Sequence, residues 1–123
     1  MKLGQRTYAD ILVLSPVGRL DHDNCDAFRT ALQPFLESSR AGRAIVLDMA
    51  ALEYVSSAGL RLLMIAGKQA SAQGGRLVVA AMRPLVAEIF HISRFTMLFE
   101  THPGVREALT AASAQAAAAF DQG

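Results

Sequence analysis

Residues 54–63 read YVSSAGLRLL, and the two adjacent serines, Ser56 and Ser57, are where this chain most plainly offers chemistry. They fall between a β-like apolar run and a helix-like one. A serine on a strand-to-helix turn can serve as a nucleophile, as in the G-x-S-x-G elbow of hydrolases. Ser57 has Gly59 two residues after it, but Val55 stands two residues before it, where so sharp a turn needs glycine. The downstream histidines, His91 and His102, would have to reach across a small fold, so no catalytic residue is assigned and the chain is read as a non-enzyme.

A serine can instead accept hydrogen bonds from the free N–H groups of a first helical turn, contributing about 1 kcal/mol. One serine satisfies that need. Neither is followed three residues later by Glu or Gln, so a capping box does not account for the pair. At least one hydroxyl is therefore expected in solvent at the positive end of a helix. A phosphoryl group there adds about −1.5 to −2 charges, which the helix N–H groups partly offset. A partner docked on the same turn would have to bury that charge unpaired, at several kcal/mol. The arrangement suits a binding switch.

Other chemistry is poorly provided for. His22, His91 and His102 are far apart, with no cysteine or histidine at ligand spacing, so neither metal nor cofactor is expected. Cys25 falls at helical spacing with Phe28, Leu32 and Phe35 and reads as a small core residue. The 12 basic and 11 acidic residues are scattered, leaving a net charge of +1 and no basic block for nucleic acid. With 52% hydrophobic and 19% charged residues, every apolar run is broken before a membrane-spanning length. One cysteine and an N-terminus (Met1, Lys2, Leu3) without a signal-peptide core fit a cytoplasmic location.

The 123 residues are read as a single domain, residues 1–123, with a core over about 8–100. A strand is expected over 8–17, with a shorter one before it in hairpin fashion and a stop at Pro16 and Gly18. Cys25, Phe28, Ala31, Leu32, Phe35 and Leu36 then follow helical spacing, with Asp21 or Asp23 as N-cap and Pro34 kinking or shortening the last turn. RAIVLDM (43–49) is a strand covered on both faces. In the helix after the serines, Leu60, Leu63, Met64 and Ser71 share a face that Leu62 and Ile65 widen, until Gly74 and Gly75 end it. Gly67 on that face invites close approach of a neighbouring element. RLVVAAM is a strand, Pro84 opens a helix, FTMLFE is a last short strand, and the alanine-rich stretch over 103–119 is a helix expected to fray. Strands alternating with helices build an α/β fold with a mostly parallel sheet, mixed at one edge.

The run IVLDMAALEYVSSAGLRLLMIAGKQASAQGGRLVVAAM, with GRLDHDNCDAF before it, resembles the STAS domain, the fold of bacterial anti-anti-sigma factors. The resemblance spans about 8–99. It implies a mixed sheet of four or five strands backed by helices and a protein-binding role as an anti-sigma factor antagonist. The unmodified form would bind an anti-sigma factor that is also a serine kinase; the kinase would phosphorylate the serine at the second helix, and a PP2C-type phosphatase would restore it. Aligned on Gly59 and Leu60, the acceptor is Ser57, with Ser56 the lesser candidate. Many relatives have aspartate where this chain has Ser56. The partner-binding surface would comprise Asp21, His22, Asp23 and Asn24 together with Ser56, Ser57, Ala58 and Gly59, in a monomer or weak dimer. An alternative within the family is a STAS domain of another partner-switching or transporter-associated system.

Overall fold

The computed structural model describes residues 2–40 and 43–122, so Met1 and both ends of the 1–123 span lie outside the described residues. The chain opens with a hairpin. β1 (Leu3–Tyr8) pairs antiparallel with β2 (Ile11–Pro16), Tyr8 opposite Ile11. Ala9 adopts φ +55° in the two-residue turn, so the single strand expected over 8–17 is divided after Tyr8. β3 (Gly18–Leu20) follows, then α1 (Cys25–Leu36), β4 (Ala44–Asp48), β5 (Leu52–Val55), α2 (Ser57–Ala72), β6 (Arg76–Ala80), α3 (Pro84–Ile92), β7 (Thr101–His102), α4 (Val105–Ala112) and α5 (Ala114–Asp121). The main sheet runs β1-β2-β4-β6-β7, parallel except at the β1 edge, while β3 and β5 form a separate parallel pair.

Alternation along β4 divides the interior in two, because successive side chains leave a strand on opposite faces. Ile45 and Leu47 join Leu14, Leu77 and Val79 beneath α1, α2 and α3, with Phe28, Leu63 and Phe90 among the residues that fill the layer. Ala44 and Val46 face the other way with Ile11, Val13, Val78 and Ala80, against Ala108, Leu109 and Ala116 of α4 and α5. The strand is covered on both faces, as its unbroken apolar run required.

The structure corrects the sequence expectations at several points. The alanine-rich tail does not fray: Ala116 is fully buried, and Tyr8 meets Phe120 edge-on with ring centroids 5.3 Å apart. Arg106 Nε and Nη2 each donate to the Asp121 carboxylate at 2.9 Å, holding its pKa below the usual aspartate range. Small side chains contribute here by letting the helix approach the sheet closely. FTMLFE is not a strand. Phe95–Met97 form a 3-10 turn after Arg94, at φ +60°, because Phe95 and Phe99 fold inward to stack at 6.0 Å and contact Phe90 at 5.7 and 6.3 Å. On α2, Ile65 and Ser71 are exposed, while Ala66 and Ala70 complete the buried face. α1 continues through Pro34 to Leu36. Gly67 provides the expected close approach: a Cβ there would lie 2.8 Å from the Phe99 ring.

Candidate functional site

The two segments singled out in the sequence meet at the end of the small β3–β5 pair. Leu20 and Val55 are register partners, and the parallel strands deliver residues 21–24 and 56–59 to the same edge. The Ser56 N–H donates to the Leu20 carbonyl at 2.9 Å. Gly59 presses against the same residue, since a Cβ on it would lie 2.8 Å from Leu20 O and 2.9 Å from Leu20 Cγ. One backbone position thus anchors both loops.

The serines divide two tasks. Ser56 is the N-cap of α2, extended at φ −83° and ψ 174°, and its Oγ accepts from the Gly59 N–H at 3.2 Å. Ser57 is the first helical residue, is exposed, and its hydroxyl has no hydrogen-bond partner among the described residues. The first turn holds no acidic side chain, so the positive end of a 16-residue helix faces solvent beside that hydroxyl. Ser56→Ala removes the cap acceptor and is expected to lower unfolding free energy by about 1 kcal/mol in urea titrations, leaving Ser57 accessible.

In the facing loop, neither Asp21 nor Asp23 is the N-cap. That position belongs to Asn24, which makes no side-chain cap. The Asp21 carboxylate is instead turned onto its own loop, where Oδ1 accepts from the N–H groups of Asp23 at 3.0 Å and Asn24 at 3.3 Å. Asn24 Oδ1 accepts from the Asp21 N–H at 2.8 Å, and Asn24 Nδ2 donates to the Arg19 carbonyl. The short polar side chains lock a tight turn, leaving His22 and Asp23 exposed at its tip. Cys25 Sγ lies 3.8 Å from the His22 carbonyl, half-buried against the core.

Arg19 and Tyr54 were not singled out in the sequence, yet they join the site's two strands. The Arg19 guanidinium sits 4.5 Å over the Tyr54 ring and 3.8 Å from the Asp21 carboxylate. Only the pairing of β3 with β5 brings them together, and a three-residue strand gives no periodicity from which to read it. Asp48 accepts from the Ala50 N–H at 3.0 Å, fastening the loop after β4, and Arg83 Nε donates to the Ala50 carbonyl at 2.8 Å. Among the described residues, His102 pairs with Glu100 at 2.7 Å, and no cluster of His, Cys, Asp and Glu is placed to hold a metal. No described helix is long and apolar enough to cross a membrane.

Compared with known proteins, residues 4–100 match a family model described as "Mlab, STAS domain". BtrV of Bordetella bronchiseptica, named as a candidate anti-sigma factor antagonist, is 33% identical over 112 residues, 91% of this chain and 94% of its own length. An anti-sigma factor antagonist from Mycobacterium paratuberculosis has a crystal structure that superposes with a TM-score of 0.80 at 24% identity, over 90% of this chain and 92% of its own. The Bacillus cell fate determinant SpoIIAA, in its phosphorylated form, superposes with a TM-score of 0.67 at 17% identity, over 91% of this chain and all of its own. These superpositions establish a shared α/β fold.

Proposed function

The chain belongs to the STAS domain family, and from that membership we propose that it is an anti-sigma factor antagonist switched by phosphorylation of Ser57. Unmodified, it sequesters an anti-sigma factor that is also a serine kinase; phosphorylated, it lets go. The observation that carries this reading is the division of labour between the serines. Ser56 alone caps the helix, and Ser57 has an exposed hydroxyl with no structural duty among the described residues.

In the forward step the Ser57 oxygen forms a bond to the γ-phosphorus of ATP as the bond to ADP breaks, and the hydroxyl proton passes to a base of the kinase. In the reverse step a PP2C-type phosphatase adds water across the ester, returning the hydroxyl and free phosphate. This chain contributes no catalytic group and needs no cofactor of its own. Its part is to present residues 21–24 and 56–58 as one docking edge, while Gly59, expected on that surface, is buried beneath it against Leu20. It works as a single cytoplasmic domain, monomeric or weakly dimeric. A dianion at Ser57 stays beside the helix N–H groups in free protein, where the fold tolerates it. Under a docked partner it is stripped of water and repels any acidic group opposite.

The test is incubation with the cognate kinase and ATP, read by intact-mass spectrometry. Wild type is expected to gain one phosphoryl group and Ser57→Ala none; equal uptake by both assigns the acceptor elsewhere. A kinase of sigma-factor control recovered with the unmodified chain supports the antagonist role, and a transporter subunit recovered in its place would redirect it.

A further inference from the structure

We propose that the cleft between α2 and the open edge of β6 binds an extended peptide that ends in an apolar residue and a free carboxylate. This site is independent of the phosphorylation switch. Lys68 on its wall is eleven residues beyond Ser57, about 16 Å along the helix.

The sheet register creates the opening. β7 pairs with β6 only at Val79 and Ala80, leaving the first half of β6 as an uncovered strand edge. Arg76 N–H donates to the Arg43 carbonyl and Ala80 C=O accepts from Met49, so the even-numbered residues of β6 are spent on β4. Val79 N–H donates to the Glu100 carbonyl, so the odd-numbered residues point the other way. Leu77 is odd-numbered and lies before β7 begins, so its N–H and C=O point to the open side of β6, where no backbone group pairs with them among the described residues. An open edge of this kind accepts an added strand, which supplies a donor and an acceptor at the required spacing.

The cleft beside that edge encloses about 330 Å³, within the range of ligand sites. Met64 and Phe99 give it an apolar floor, the Phe99 ring lying against Gly67 where a side chain would exclude it. Leu98 at its mouth is 61% exposed, an apolar surface left wet in the free chain. Arg76 is committed to Glu100 at 3.1 Å, whereas Lys68 makes no salt bridge among the described residues. An uncommitted ammonium and an unpaired N–H beside an apolar recess suit the last residue of a peptide: carboxylate on the cation, side chain in the recess, backbone on the strand.

Titration of the 15N-labelled full chain with acetyl-Ala-Val-Leu, as free acid and as C-terminal amide, and with octanoate tests this. The free acid is expected to move the Leu77 amide resonance saturably. The amide, or Lys68→Gln with the free acid, should bind about fivefold more weakly, the worth of one exposed charge pair. Octanoate, with no backbone to offer the strand, should bind more weakly still. A Leu77 resonance unmoved by the free acid, equal binding of acid and amide, or octanoate binding as well as the peptide would each overturn the proposal. Lys68 is exposed, so its replacement leaves the fold intact as a control.

Discussion

Ser57→Asp is expected to weaken binding of the cognate kinase by about 100-fold or more while changing unfolding free energy by less than about 1 kcal/mol. The two effects separate because the added charge meets different surroundings in each state. In the free chain it lies in solvent at the first turn of α2, where no acidic side chain competes. The helix end favours it by a few tenths of a kcal/mol, enough to offset lost side-chain freedom. In the complex the same carboxylate is desolvated without a partner, and several kcal/mol of penalty corresponds to two or more decades in affinity. Calorimetric titration against the kinase and urea unfolding of the free chain give the two numbers. Ser56→Asp is the control, because aspartate caps a helix as well as serine does and the change should leave stability nearly untouched. If Ser57→Asp binds like wild type, the switch is not at this residue.

Gly59→Ala is expected to destabilise the fold by roughly 1–3 kcal/mol and to disturb the facing loop. On propensity alone the change would stabilise, since glycine in a helix interior is disfavoured by up to about 1 kcal/mol relative to alanine. Contact reverses the sign. The new methyl would stand 2.8 Å from the Leu20 carbonyl oxygen and 3.1 Å from Val55 Cγ1, and a backbone oxygen cannot rotate aside. Relief requires α2 to move off β3, which strains the Ser56 N–H to Leu20 C=O bond and with it the path into residues 21–24. The loss is measured by urea unfolding, and the displacement by amide shifts of Asp21, His22, Asp23 and Asn24. Greater stability in the variant would mean that the two loops are not locked together at Leu20.

Much of this was written in periodicity. The α1 stripe from Cys25 to Leu36, the N1 proline of α3 and the two-sided burial of β4 follow from residue type and spacing alone. Ser56 as cap and Ser57 as spare hydroxyl follow too, because one helix start needs only one acceptor. Other features depend on contacts that no local pattern encodes. β3 is three residues long and exists because β5 lies beside it, so the Arg19–Tyr54 stack had no signal in the chain. FTMLFE has the composition of a strand, but burying Phe95 and Phe99 together against Phe90 wins over extending them. Asp21 looked like a cap because it precedes a helix; four residues ahead of Cys25, it tightens the approach turn instead. The tail looked loose because alanine carries little bulk, yet small side chains are what a closely approaching helix needs.

That tail has a consequence for how the molecule is made. Every strand of the sheet lies before residue 103, and the helices that cover its second face span residues 105–121. On the ribosome, at about 5–20 residues per second, the strands are out roughly one to four seconds before their cover is complete. During that interval Ile11, Val13, Val46 and Val78 form a wet apolar sheet face, the kind of surface through which nascent chains stick to one another. The smallest side chains in the protein are therefore the ones that end its period of greatest vulnerability.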